Sequence, residues 1–318
     1  MIQNVARVLA SILMLGVLAG SAAAYPNRPI RFVVSAPAGT APDIIARLIA
    51  PKMSDQLGQP IIVDNKAGAN GNIAAGEVSK ATPDGYTLLL TVAGTITANP
   101  SLYPRSAVTD LEPITQIVTN DFIVATRTSL NVKTLPELLA VIRQQPGKIN
   151  AATTANGSFP HLAAELLKKD SGVDFTIVKH NGEAAVGTSV AGEHTDFAIV
   201  TRAVVASFVD AKKLVPIAST GPTRNVLSPD LPTVAEVGLP GYAMMGWIAL
   251  LGPKGLPPQV TSALHKAVSD AISDATIRDR LAAMQFSPIV NTPADFTKVI
   301  DAERAKLSAL IQHAKLAE

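Results

Sequence analysis

The feature that most constrains this fold is a unit that occurs twice: an apolar strand, a loop of small residues with a glycine, and a helix. The first copy is VVSAPAGTAPDIIARLI (Val33 to Ile49) and the second is INAATTANGSFPHLAAELL (Ile149 to Leu167). Around them, strand-like runs alternate with helical patterns. Ile30 to Val34, Ile61 to Asp64 and Tyr86 to Val92 read as strands, with helices over Asp43 to Leu57 and Gly71 to Ala81. This alternation predicts an α/β protein with a parallel sheet. Open sheets of that kind bind ligands at the carboxyl ends of their strands, beside helix N-termini. Two such units, one per lobe, would face each other across a cleft.

The run ITQIVTNDFIVAT (Ile114 to Thr126) is too long for one ordinary strand and carries a polar break at Thr119-Asn120-Asp121. A strand of that kind can leave one sheet and enter another. After it the alternation restarts. Helices are expected over Leu135 to Gln145, Pro160 to Lys169 and Glu183 to Ala191, with strands at Ile149 to Thr153, Phe175 to Val178, Phe197 to Val200 and Lys213 to Ser219. A Pro/Gly-rich passage, LSPDLPTVAEVGLPGYAMMG, leads into the apolar run Trp247 to Leu251. Two helical stretches follow, Pro258 to Met284 and Pro293 to Ala317. The expected organisation is residues 1–24 as a leader, 25–121 with 245–318 as one lobe, and 122–244 as the other. The crossings would lie near Thr119 to Phe122 and near Gly241 to Trp247.

The leader has Arg7, an apolar run from Val8 to Leu18 and the small-residue end Ala22-Ala23-Ala24, the pattern of a cleavable secretory signal peptide. Its apolar run falls short of the ~20 residues of a membrane span. Export to the periplasm is therefore expected. The chain has no cysteine. Disulfides, thiol nucleophiles and cysteine-based metal sites are thereby excluded, and stability must come from core burial. With 27 basic against 25 acidic residues, neither nucleic acid nor a membrane surface is an expected partner.

Gly39 permits close approach of backbone to a ligand, and the helix after it offers unpaired N–H groups that favour an anion. A plainer alternative makes Gly39 a turn residue and Asp43 an N-cap. Neither this loop nor Ala67-Gly68-Ala69-Asn70-Gly71-Asn72 fits a P-loop or a G-x-G-x-x-G dinucleotide loop. No G-x-S-x-G elbow or H-E-x-x-H pair is present. The residues Ser158, His161 and Asp196 contain the elements of a nucleophilic triad, and hence of a secreted hydrolase. However, Ser158 and His161 sit three apart at a helix start, where a capping pair or a ligand-facing imidazole is the better reading. No enzymatic activity, cofactor or metal is expected.

Several stretches together resemble one family, the Bug-type periplasmic solute-binding receptors of tripartite tricarboxylate transporters. They are YPNRPIRFVV, the segment from Ala36 through Leu90, NPSLY, TTANGSFPHLAAELL, LPTVAEVGLPGY and WIALLGPKGLP, in family order over nearly the whole chain after residue 24. The resemblance implies a two-lobed type II periplasmic-binding-protein fold with a ligand cleft between the lobes. It implies a small organic acid as ligand, a mono- or dicarboxylate, with a tripartite tricarboxylate transporter permease as the membrane partner, and a monomeric receptor. A receptor that reports to a membrane sensor is the alternative. Carried onto this chain, the ligand-binding residues would be Ala36, Gly39, Thr40, Ala41 and Asp43 in the first loop, and Ala93, Gly94 and Thr95 after the third strand. In the second lobe they would be Thr154, Asn156, Gly157, Ser158, His161, His180, Asn181, Asp196, Thr201 and Arg202. Departures from the family pattern include Ala36 in place of an aromatic residue, Thr40 and Ala41 in place of glycines, and His180-Asn181-Gly182 where Tyr-Lys-Gly is usual. After Asp196, Val200 and Thr201 stand where an acid and an amide are common, with Arg202 next. Arg202 would then clamp a second carboxylate, with His180 donating to the same group; the alternatives are a solvated surface arginine and a histidine that only caps a strand.

Overall fold

The structure is a computed structural model that describes residues 25–103, 106 and 108–317. The leader, residues 1–24, lies outside the described residues. Strand β1 (Ile30–Val34) takes β2 (Ile61–Asn65) on one side and β3 (Thr87–Val92) on the other, both parallel, with Ile30 opposite Ile61 and Arg31 opposite Thr87. The connections are helix α1 (Ala41–Leu57) and helix α2 (Asn72–Val78). Two short helices, α3 (Ala93–Thr97) and α4 (Asn99–Leu102), follow β3. The Ala93-Gly94-Thr95 segment is therefore a helix start.

Strand β4 (Leu111–Arg127) is 17 residues long and belongs to both halves of the molecule. Beyond it come α5 (Leu135–Gln144), β5 (Asn150–Thr153), α6 (Phe159–Ser171), β6 (Thr176–Lys179), α7 (Glu183–Ala191), β7 (Phe197–Thr201), α8 (Arg202–Asp210) and β8 (Leu214–Ser219). Strand β5 pairs in parallel with β6 and β7. Residues Phe122 to Thr126 of β4 pair antiparallel with β7, and Ile123 to Arg127 pair with β8. Residues Leu111 to Asp121 instead pair with β9 (Met245–Pro253), which also pairs with β3. The strand thus changes sheets between Asp121 and Phe122.

The period of two along β4 explains how one strand serves two faces. Phe122 and Val124 enter a core shared with Trp247, Phe159 and Leu307, while Ile123 and Ala125 enter a second core with Val186, Val190 and Val200. A third core, on the other face of the first sheet, joins Phe32, Ile45 and Met53 to Leu264 and Val268 of helix α9 (Pro258–Ser273). Apolar faces on both sides of each sheet give the layered α/β arrangement expected from the alternation.

The return crossing is tied by one threonine. Thr220 donates its N–H to the Phe122 carbonyl at 2.9 Å, and its hydroxyl accepts from Phe122 N–H at 2.9 Å while donating to the Met244 carbonyl at 2.6 Å. Met244 N–H returns to the Thr220 carbonyl at 2.7 Å. Both connections between the halves are therefore laced together where β4, β8 and β9 meet.

The C-terminal region differs from its expected outline. The stretch Pro258 to Met284 is broken at Asp274, with φ −64° and ψ 129°, into α9 and α10 (Ala275–Ala283). Asp274 has left the helical region and caps α10 instead, accepting from Thr276 and Ile277 N–H at 3.0 and 3.3 Å. A two-residue strand, β10 (Ser287–Pro288), then pairs with β4 at Val118 and Thr119. Helix α11 (Pro293–His313) packs on α3 and β4 in one half and on α6 in the other.

Candidate functional site

Two adjoining cavities open between the halves. The inner one, about 280 Å³, is lined by Val92, Ala93 and Gly94 at the end of β3, by Thr154 and Gly157 to Pro160, by the aromatic rings of Phe122, Trp247 and Phe286, and by Asn70. The outer one, about 460 Å³, is lined by Thr40, Ile44, Asp121, Arg202 to Val204 and Met284 to Phe286. Ala41, Asn120, Glu183, Thr201 and Phe286 belong to both walls. The two halves touch beside the inner cavity. Gly157, at φ +71°, is pressed so closely by Leu102 that a side chain there would collide with it, and the Phe159 ring lies over Gly94.

Four helices of nine residues or more, α1, α6, α7 and α8, present their first turns to these cavities. A helix N-terminus carries unpaired N–H groups and about half a positive charge, so their convergence favours an anion without any basic side chain. The first loop uses some of its donors internally. Gly39 N–H goes to the Asp43 carboxylate at 2.9 Å, and Thr40 N–H goes to the Pro37 carbonyl at 3.3 Å. Ala41 and Asp43 N–H are the first-turn donors of α1 left without an acceptor in the described residues.

Several expected site residues have structural partners instead. The N-cap of α1 is Thr40, in extended conformation, whereas Asp43 is buried within the first turn and accepts from Gly39 N–H and from Arg47 Nε at 2.9 Å. Its bonds to Gly39, Asn65 and Arg47 hold the carboxyl below its usual range, against burial, which acts to raise it. Asp196 lies at the other end of β7 from the cavities. There it accepts from Arg127 at 3.0 and 3.1 Å and from Asn150 N–H at 2.8 Å. That position removes it from any set with Ser158 and His161.

His161 is buried, and its Nδ1 accepts Gly157 N–H at 3.1 Å, which fixes the loop before α6. Burial, helped by Lys179, pushes its pKa down to about 4 and keeps the ring neutral. The Ser158 hydroxyl accepts from His161 N–H at 3.4 Å and from the Thr154 hydroxyl at 2.8 Å, so it caps α6 at the cavity edge. Thr95 is buried, bonded to the Asn70 carbonyl at 3.1 Å. Ala36, Gly39, Asn156, His180 and Asn181 lie outside both linings. His180 holds the end of β5 through its backbone N–H, 2.9 Å from the Thr153 carbonyl.

Arg202 is the largest departure from expectation. It lines the outer cavity, but both terminal nitrogens of its guanidinium are taken and its Nε is buried without a partner among the described residues. One terminal nitrogen donates to Asp121 Oδ2 at 2.6 Å and the other to the Ser228 hydroxyl, while Asn225 donates to Asp121 Oδ1 at 2.8 Å. Arginine and aspartate are nearly buried, and with no free fork to offer, Arg202 braces the crossing strand rather than clamping a ligand.

Among cavity residues that sequence reasoning passed over, Glu183, Asn120, Asn70 and Trp247 matter most. Glu183 is the first residue of α7, and its carboxylate accepts from the Thr201 hydroxyl. Burial raises its pKa, opposed by the bonds from Thr201. Trp247, the chain's single tryptophan, is oriented from behind by Glu303 of α11, which accepts its indole N–H at 2.9 Å. The Glu start to α7 was visible as a neighbour of the predicted His180 and Asn181; Trp247 and Phe286 carried no local signal as site residues.

A family model described as "Tripartite tricarboxylate transporter family receptor" matches residues 45–316. The chain is 30% identical over 301 residues to Protein BugT of Bordetella pertussis, covering 92% of each chain. A structure of an R. palustris protein with adipate aligns with a TM-score of 0.79 at 29% identity, covering 92% of this chain and 99% of that one. MatC from Rhodopseudomonas palustris with bound malate aligns at 0.75 and 27% identity, covering 90% and 100%. The architecture is accordingly the two-lobed type II periplasmic-binding fold, with its cleft between the lobes.

Proposed function

Since this chain belongs to the family of tripartite tricarboxylate transporter receptors, we propose that it is a monomeric periplasmic receptor that closes its cleft on a small organic acid and delivers it to a permease of that transporter class. Receptors of this family are periplasmic solute-binding proteins rather than enzymes. The single observation that carries the reading for this chain is the convergence of the α1, α6, α7 and α8 N-termini on an inner cavity walled by Phe122, Phe159 and Trp247. Backbone donors take the carboxylate and the aromatic walls take the carbon skeleton. Ala41 and the Thr154, Gly157 and Ser158 group are the contacts we assign to the ligand from opposite lobes.

Closure is a rotation of residues 122–244 against residues 25–121 with 245–318, about the Thr220 junction. Adipate and malate, held by the two R. palustris relatives, begin the ligand screen. A library of aliphatic, aromatic and amino-substituted carboxylates should raise the melting temperature of the purified protein for at least one member. Solution scattering should then show compaction with that compound. A library without a stabilising carboxylate would overturn the receptor reading. Ligand-dependent co-purification of a permease, rather than of a membrane sensor, tests the delivery step.

A further inference from the structure

Among the described residues that line the inner cavity, Glu183 is the one ionisable side chain. The outer lining adds Asp121 and Arg202, and these two are bonded to each other at 2.6 Å. The cleft therefore holds a carboxyl group with no cation to answer it. Thr201 supplies Glu183 with its hydroxyl and a backbone bond, and no basic side chain other than the paired Arg202 stands in either lining. Half-buried on the wall of the cleft, the carboxyl can accept further donors that an occupant brings.

A second, independent group points the same way. Asn120 is 9% exposed, lies on the crossing strand and lines both cavities beside Glu183. Its side-chain amide makes no hydrogen bond within the described residues. Gly246, directly opposite it across the β4–β9 pair, has no side chain, and the Asn120 amide fills the space a Cβ would take. An amide that faces the cleft without a protein partner is free to bond an occupant.

We propose that Glu183 and Asn120 form a subsite for a nitrogen cation, so that the ligand is an amino-substituted carboxylic acid rather than a dicarboxylate. This rests on the carboxylate-receptor reading above. The ammonium offers N–H donors to the Glu183 carboxylate and to the Asn120 carbonyl oxygen, and the ligand carboxylate lies toward the α1 and α6 first turns. A second carboxylate in that place would instead meet the Glu183 carboxylate as a like charge at close range.

The test titrates refolded, ligand-free protein by Trp247 fluorescence and calorimetry with matched sets. One set is L-glutamine, 4-aminobutanoate, butanoate and glutarate; the other is L-phenylalanine, 4-(aminomethyl)benzoate, 3-phenylpropanoate and terephthalate; the proteinogenic amino acids and the library acids complete the panel. The wild-type protein should bind an amino acid at least tenfold more tightly than its des-amino acid and than the dicarboxylate of similar length. Glu183→Gln should cut that affinity on the order of tenfold to hundredfold and erase the preference, while strengthening dicarboxylate binding. Asn120→Ala should weaken the amino acid alone. Thr201→Val keeps the test open should Glu183→Gln fold poorly, and should lower amino acid affinity in the same direction. Dicarboxylates binding the wild type as tightly as amino acids, or a preference unchanged in Glu183→Gln, would overturn the subsite while leaving the receptor standing. No binding by any carboxylate would overturn both.

Discussion

Replacing Glu303 by glutamine should stabilise the protein, and the gain should grow with pH. Glu303 sits beneath the cleft on α11, accepting from Trp247 Nε1 at 2.9 Å, with Thr97 of α3 and Lys306 nearby. Burial pushes its carboxyl from 4.5 up to about 7, outweighing the bonds from Trp247 and Thr97 and the charge of Lys306. A carboxyl whose folded-state pKa is raised contributes most below its unfolded value, and that contribution is lost as pH rises through the folded value. The window is therefore from pH 4.5 to about 7. At about 1.4 kcal/mol per unit, the wild type is penalised by about 1 kcal/mol at pH 5 and about 3 kcal/mol at pH 8 relative to a side chain that cannot ionise. Glutamine keeps an oxygen for the indole N–H and gains an amide that can donate to Thr97.

The measurement is urea unfolding of both proteins at pH 5 and pH 8, followed by circular dichroism and Trp247 fluorescence. The stability difference in favour of Glu303→Gln should widen by about 2 kcal/mol across that interval. His161 acts in the opposite sense, because a histidine held down to about 4 contributes stability that is lost as pH falls from 6.5. The wild-type profile therefore conceals both groups, and the difference between the two proteins isolates Glu303. A gap that stays constant from pH 5 to pH 8 would refute the assignment of a buried, ionising carboxyl behind the cleft.

Other substitutions separate scaffold from site. Arg202→Met should cost about 3–5 kcal/mol in stability by leaving Asp121 buried without its cation; a variant of unchanged stability with lost ligand affinity would mean that Arg202 is a ligand clamp after all. Thr220→Val removes the hydroxyl that serves both Phe122 N–H and the Met244 carbonyl, and should lower stability by about 2–5 kcal/mol in thermal or urea unfolding. Gly157→Ala forces a side chain to φ +71° and against Leu102. The backbone alone costs about 1–2 kcal/mol, and scattering should show the lobes displaced from the contact at Leu102.

How much of this was legible before the structure follows from what each residue type can announce. Strands β1, β3, β5 and β7 and the sheet change at Asp121 were readable because alternating or continuous apolar runs carry their own period. The two glycine loops were readable as cleft walls for the same reason. Individual site residues fared otherwise, since an acid or histidine near a helix start has one sequence signature and two possible fates. Asp43 and His161 turned inward to fasten their own loops, and Arg202 found Asp121 from 81 positions away. Glu183 looked like an ordinary acid at a helix N-terminus, where it favours the helix dipole. What makes it a cleft acid is the pairing of β7 with β5 and β4, which brings Thr201 and the crossing residue Asn120 to the same wall. Where backbone N–H groups receive the carboxylate, side chains are freed to vary, and the information on ligand choice moves to residues such as Glu183 that the backbone site does not need. Specificity in this cleft is therefore to be sought at Glu183 and Asn120 rather than in the glycine loops that first reveal the fold.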